Sequence, residues 1–268
     1  MASNSSLAYA ELLEQAKRAA LAGGKAILDV YNSADFGVEL KSDNSPLTKA
    51  DQAAHEAIVT LLKGTNLPIL SEEGRDIPYN EREKWSSFWM VDPLDGTKEF
   101  IRRNGEFTVN IALIENNQPV LGIVYCPVLD KLFFGGSAVN GSWLTTKETT
   151  IQLKASANMS LAELKATSQV KIVASRSHLN QETEAFISSC VDPQTVSMGS
   201  SLKFLVIAEG DAHLYPRFAP TMEWDTAAAD GVLCGLAYRT VKVEAGEVTA
   251  KPLSYNKQNL LNPHFLVY

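Results

Sequence analysis

Apolar residues recur at helical spacing over residues 7–31, where Leu12, Ala16, Ala19, Ala20, Ala26, Ile27 and Val30 share a side, so the pattern predicts a long amphipathic helix eased at Gly23-Gly24. A polar stretch, residues 41–46, reads as a loop. Residues 48–63 then repeat the helical period with a stripe of Ala54, Ala57, Ile58, Leu61 and Leu62. Residues 67–70 form a short apolar run ending at Ser71-Glu72-Glu73, the pattern of a strand that carries acids at its tip. Residues 88–91 make a second strand candidate, stopped by Asp92-Pro93. From Thr108 the pattern turns to β. Residues 109–114, 120–125 and 131–135, separated by Asn116-Asn117, Pro127 and glycine-rich turns, predict an antiparallel meander. Beyond about residue 150, short strands (172–174, 212–215) alternate with helices (181–190, 202–208, 224–235). A soft boundary near residue 150 therefore divides the chain into 1–150 and 151–268, without a flexible linker.

Composition narrows the class. With 45% hydrophobic and 21% charged residues, the 268-residue chain has material for a sizeable core and is not disordered. No apolar run approaches the roughly 20 residues of a membrane-spanning helix. Residues 1–6 lack the basic and then apolar order of a secretory signal. A formal net charge of −7 disfavours a nucleic-acid polymer as partner, while leaving room for a local basic pocket that holds a small anion. Cys126, Cys190 and Cys234 stand far apart, giving neither a disulfide framework nor a Cys-x-x-Cys metal pair, so a reducing cytoplasm is expected. No Gly-x-Gly-x-x-Gly or P-loop spacing supports dinucleotide or nucleoside-triphosphate chemistry.

The most informative segment is Asp92-Pro93-Leu94-Asp95-Gly96-Thr97. A strand ends, two carboxylates follow three positions apart, and Gly-Thr opens a short helix. Carboxylates at a strand end suit a hard cation such as Mg²⁺, and a helix beginning at Thr97 aims free N–H groups at an anion. An isolated Asp-x-x-Asp-Gly is more often a solvated, helix-capping turn. Glu72, at another strand end, and Asp225, heading the small-residue helix Trp224-Asp225-Thr226-Ala227-Ala228, shift that balance. An aspartyl-phosphate nucleophile is disfavoured, because the haloacid-dehalogenase phosphatases carry Asp-x-Asp. Thr48 and Asp51 match a capping box at a helix start.

Taken together, Asp92 to Thr97 with Glu72-Glu73 before it and Trp224-Asp225 after it resembles the inositol-monophosphatase superfamily of Mg²⁺-dependent, lithium-sensitive phosphatases. Within that superfamily, Lys98-Glu99-Phe100-Ile101 and Asn104-Gly105-Glu106-Phe107-Thr108-Val109-Asn110 resemble the bacterial 3′(2′),5′-bisphosphate nucleotidases of sulfur assimilation. The resemblance runs from Leu7 to about Leu260. It implies an α/β fold of layered αβαβα type, with a large antiparallel sheet and a smaller mixed α/β half.

The resemblance also implies roles. Glu72, Asp92 and the Leu94 carbonyl would hold one Mg²⁺, and Asp92, Asp95 and Asp225 a second, with a third, weaker ion allowed near Glu72. Paired cations of this kind activate the attacking water and stabilise the departing oxygen. Asp51 would accept a proton from the attacking water together with the Thr97 hydroxyl, so the catalytic set is Asp51, Thr97 and Glu72. Gly96 and Thr97 would bind the scissile phosphate. Ser175 and His178 would contact the nucleoside. Ser200, Lys203 and Asp225 would complete the substrate site, with Lys203 near a second phosphate.

The implied reaction is removal of the 3′-phosphate of adenosine 3′,5′-bisphosphate to give AMP, extending to the analogous phosphosulfate. Rivals are an inositol or sugar phosphomonoesterase and a non-catalytic sensor of the same nucleotide. The expected partner is the bisphosphate nucleotide itself. Monomer and homodimer stay open, as does peripheral attachment to the inner membrane.

Overall fold

In the computed structural model, which describes residues 4–33, 37, 39–40, 46–155, 157–174 and 180–268, the first helical period forms one unbroken helix, α1 (Asn4–Tyr31). A two-residue antiparallel ladder of β1 (Glu39–Leu40) and β2 (Pro46–Leu47) leads into α2 (Lys49–Leu62). Gly23 and Gly24 do not ease α1. A Cβ on Gly23 would stand 2.7 Å from the Ile58 side chain of α2, and one on Gly24 would overlap the Tyr125 ring, so the glycines allow close packing. The loop expected over residues 41–46 lies almost wholly outside the described residues.

Then follow β3 (Ile69–Ser71), α3 (Tyr79–Arg82), β4 (Ser87–Asp95), α4 (Thr97–Ile101), β5 (Thr108–Glu115), β6 (Gln118–Cys126), β7 (Lys131–Gly136), β8 (Gly141–Thr146) and β9 (Thr149–Gln152). The strands form one seven-stranded sheet in chain order, parallel between β3 and β4 and antiparallel elsewhere. Both faces are covered, which is why β4 and β5 read as continuous apolar runs. Odd-numbered residues such as Trp89, Val91, Val109, Ile111 and Leu113 pack against α1 and α2. Even-numbered residues such as Phe88, Met90, Ala112 and Ile114 face the other side. One expectation needs correction: β4 does not stop at Asp92-Pro93. Its ladder with β5 is interrupted after Asp92↔Asn110 and resumes at Asp95↔Thr108, so Pro93 sits where no ladder donor is required.

The later chain contributes α5 (Leu161–Ala166), β10 (Lys171–Ala174), α6 (Gln181–Ser188), β11 (Gln194–Ser197), α7 (Leu202–Ala208), β12 (Tyr215–Arg217), α8 (Glu223–Cys234), β13 (Thr240–Glu244), β14 (Glu247–Pro252) and β15 (Phe265–Val267). The strand expected at 212–215 begins at Tyr215, after an isolated bridge between Ile172 and Leu214. A four-stranded sheet runs β12-β15-β13-β14, beside a parallel β10-β11 pair. Residues of α7 and α8 fill the space between the two sheets, where Phe204 stacks on Phe265. A third cluster, including Leu164, Phe186 and Leu266, covers the outer face of the smaller sheet. The layers are therefore helix, sheet, helix, sheet, helix. At the centre α8 crosses β6 with backbones almost touching: a Cβ on Gly122 would overlap the Ala228 carbonyl oxygen and lie 2.7 Å from Val232 N.

Candidate active site

Parallel pairing of β3 with β4 aligns the ends of the two strands, and the Glu72 N–H donates to the Val91 carbonyl at 3.1 Å. Glu72 and Asp92 are thereby delivered side by side. The first turn of α8 brings Asp225 in from the other half, and one carboxylate oxygen of each of these three residues lies within 4.8 Å of the others. Asp225 also closes the start of its own helix, accepting the Met222 N–H at 2.8 Å. Leu94 donates its N–H to Asp92 Oδ1 at 3.0 Å.

This is a costly arrangement of acids. Asp92 is 2% exposed. Burial, and then the charges of Glu72, Asp95 and Asp225, push its carboxyl well above the usual carboxylate range. Asp225 is pushed up to about 8, by burial first and by Asp95 next. Converging carboxylates, here one buried and two half-buried, that repel one another are relieved by a divalent cation, and an all-oxygen donor set suits a hard one. The residues present fit such an ion.

Asp95 stands at the resumed end of the β4 ladder, outside the three-acid cluster. Its Oδ2 accepts from Ser200 Oγ at 2.6 Å, Ser201 N at 2.7 Å and Ser201 Oγ at 2.9 Å. The Gly199–Ser201 turn is thus fastened to the acidic segment, and Gly199 N donates to Glu106 Oε2 at 2.8 Å. Ser200 is held at φ +48, a left-handed backbone that a non-glycine residue adopts only under constraint. Gly96, at φ +96, occupies the same region with less strain and turns the chain into α4.

Asp51 is buried at the start of α2 and serves two groups. Its Oδ2 accepts the Thr48 N–H at 2.7 Å and the Thr48 hydroxyl at 2.6 Å, while Thr48 Oγ1 accepts the Ala50 N–H at 3.1 Å, and the helix start is closed as a capping box. Its Oδ1 accepts the Thr97 hydroxyl at 3.2 Å. Thr97 also lies 3.3 Å from the Leu94 carbonyl, a competing acceptor for its single proton. Capping and contact with the acidic segment are therefore compatible. Lys203, at the start of α7, is buried close to the acids. It is 9% exposed, and its Nζ donates to the Ser200 carbonyl at 2.8 Å. Burial lowers its pKa, while Asp95, Glu99 and Asp225 act in the opposite sense. Ser175 and His178 lie outside the described residues. Ser201, Asn110 and Thr108, to which the sequence assigned no site role, are buried in contact with this assembly.

The inositol monophosphatase family description matches residues 8–264. The chain belongs to the inositol monophosphatase family. Family enzymes are metal-dependent, and this member has the carboxylate cluster such dependence requires. It is 42% identical over 262 residues to the 3′(2′),5′-bisphosphate nucleotidase CysQ of Escherichia coli K12, covering 96% of this chain and 99% of that protein. The CysQ nucleotidase of Haemophilus influenzae is 32% identical over 260 residues, 96% of this chain and 92% of its own. Among solved structures, CysQ from Bacteroides thetaiotaomicron superposes with a TM-score of 0.79 at 43% identity, covering 95% of this chain and 96% of that one. The Thermotoga maritima IMPase, at 19% identity and a TM-score of 0.72, shares the fold. No helix among the described residues is long and apolar enough to cross a membrane.

Proposed function

We propose that this family member is a Mg²⁺-dependent 3′(2′),5′-bisphosphate nucleotidase, removing the 3′-phosphate of adenosine 3′,5′-bisphosphate to give AMP and phosphate. The corresponding 3′-phosphate of adenosine 3′-phosphate 5′-phosphosulfate is a second substrate. The observation that carries the reading is the convergence of Glu72, Asp92 and Asp225 beside the Asp51–Thr97 pair. The 42% identity to nucleotidases over 96% of the chain supports the choice of nucleotide over other phosphomonoesters.

Glu72, Asp92 and the Leu94 carbonyl would hold one cation, and Asp92, Asp95 and Asp225 another. Such ions neutralise charge on the phosphate and favour in-line attack by water. The chain's own residues then account for the proton. Thr97 Oγ accepts a proton from the attacking water as its own proton passes to Asp51 Oδ1, the acceptor already 3.2 Å away. Water forms the new bond to phosphorus, and the ribose 3′-oxygen departs with the electron pair of the broken bond and takes a proton from solvent, to which Asp51 returns the one it accepted. Gly96 and Thr97 bind the scissile phosphate. Ser200 and Lys203, with Ser175 and His178, recognise the nucleotide and its remaining phosphate.

Phosphorus NMR of the reaction tests this assignment. The 3′-phosphate resonance should disappear as free phosphate grows in, with the 5′-phosphate retained and AMP as sole nucleotide product. Loss of the 5′-phosphate, or no release in saturating Mg²⁺, refutes it.

A further inference from the structure

Behind the acids lies a chain of buried polar side chains with a fixed direction. Thr108, Asn110 and Ser201 are 0%, 1% and 2% exposed. Asn110 Nδ2 donates to Ser201 Oγ at 2.9 Å, while the Thr108 hydroxyl stands 2.8 Å from Ser200 Oγ and 3.0 Å from Asn110 Oδ1, two acceptors for its one proton. Ser201 precedes α7 but makes no side-chain cap bond. Its hydroxyl faces Asp95 Oδ2 at 2.9 Å and the Asp225 backbone carbonyl at 2.8 Å.

The direction follows from proton counting. A serine hydroxyl carries one proton and two lone pairs. With the Asn110 amide donating to Ser201, that proton is directed toward the acidic segment. Asn110 presents its amide to Ser201, with its carbonyl turned toward Thr108. Buried polar chains of this kind rigidify their surroundings and fix orientation when every member is satisfied. Here the orientation reaches two acids on different halves of the chain, through the side chain of Asp95 and the backbone of Asp225.

We propose that Ser201, oriented by Asn110, is a positioning residue for the cation site: it fixes the Asp95 carboxylate through Oδ2 and registers the end of β4 against the first turn of α8. The proposal rests on the reading of Asp95 as a cation ligand given above. Ser201 touches neither the reacting water nor the phosphate in this scheme, so its effect belongs to cation affinity. Asn110 acts only through Ser201, which makes the two residues thermodynamically coupled.

The test is Mn²⁺ binding to the full chain, with free ion counted by electron paramagnetic resonance, alongside phosphate release from adenosine 3′,5′-bisphosphate as Mg²⁺ is titrated. Ser201→Ala and Asn110→Ala should each weaken Mn²⁺ binding on the order of tenfold, the effect of one hydrogen bond to a charged group. Turnover should recover at saturating Mg²⁺. The double variant should bind Mn²⁺ no more weakly than Ser201→Ala alone. Multiplying losses in the double variant, or unchanged Mn²⁺ affinity in folded Ser201→Ala, overturns the proposal. If either alanine variant fails to fold, Ser201→Cys keeps the shape and replaces the hydroxyl with a weaker donor. It should weaken Mn²⁺ binding by a smaller factor, and unchanged affinity there overturns the proposal equally. Wild-type protein that releases no phosphate, yet loses Mn²⁺ affinity in these variants, retains the positioning role and refutes the nucleotidase reading. Normal turnover with unaltered Mn²⁺ binding in the variants does the reverse.

Discussion

Asp51→Asn separates the two uses of one carboxylate. In the wild type, Oδ2 takes both Thr48 donors and Oδ1 takes the Thr97 hydroxyl. Asparagine has a single acceptor oxygen. It is expected to keep that oxygen on Thr48, because two donors at 2.7 and 2.6 Å would otherwise face an amide NH₂. The NH₂ then points at Thr97, whose proton swings to the Leu94 carbonyl, 3.3 Å away. The cap survives, so stability should fall by no more than about 1 kcal/mol. The proton acceptor is lost, so kcat should fall by roughly 10²–10⁴ with little change in KM. Thr48→Ala is the matching control: it removes the hydroxyl that caps the Ala50 N–H, costs about 1 kcal/mol, and leaves the Thr97–Asp51 contact in place. Phosphate release at saturating Mg²⁺, with melting of the same samples, makes the comparison. If Asp51→Asn loses stability but keeps its kcat, or if Thr48→Ala loses kcat to the same extent, Asp51 is a cap alone.

Three other perturbations have defined outcomes. Lys203→Ala should lower kcat/KM for adenosine 3′,5′-bisphosphate roughly tenfold more than for inositol 1-phosphate; equal losses would mean that Lys203, bonded to the Ser200 carbonyl, serves only the turn. Gly122→Ala places a methyl group on the Ala228 carbonyl and should destabilise the fold by about 3 kcal/mol, read as a lower midpoint in urea; a neutral result would contradict the tight crossing of α8 over β6. Asp230, which accepts the Tyr255 hydroxyl at 2.7 Å, is pushed up to about 6 by burial. Between about pH 4 and 6 the folded protein keeps a proton that the unfolded chain releases, so this group's contribution to stability falls as pH rises through that window and is constant above it. Asp230→Asn removes that loss and should therefore exceed wild type by up to about 3 kcal/mol at pH 8, with the gap narrowing toward pH 4. A variant less stable than wild type at pH 8 would contradict the assignment.

The legible parts of the fold are those whose period is enforced by a single apolar face or a run of turns. The stripe of Ala54, Ile58 and Leu62 located α2, and apolar runs bounded by turns located β5, β6 and β7. The smaller sheet was largely illegible because β12 and β15 have three residues each, too few to show a period. β9 is exposed along its length and threonine-rich, so no apolar alternation marks it. Pro93 ended the expected strand early because proline usually breaks a ladder; here it occupies the one interruption that tolerates it. Glu72, Asp92 and Asp225 were legible as acids at the ends of apolar segments, and the fold brings them together. Ser201 was not, because its bond to Asp95 spans 106 positions and its sequence context suggests only a helix start. At Asp51 the sequence offered capping and catalysis as alternatives, whereas the two oxygens allow both.

The most direct test of the central claim is the initial rate of phosphate release from adenosine 3′,5′-bisphosphate and from inositol 1-phosphate, each measured as Mg²⁺ is titrated into metal-free protein. The expected result is strict Mg²⁺ dependence, loss of the rate on chelation, and a kcat/KM for the nucleotide well above that for inositol 1-phosphate. Release that persists without a divalent cation, or a preference for inositol 1-phosphate, would contradict it.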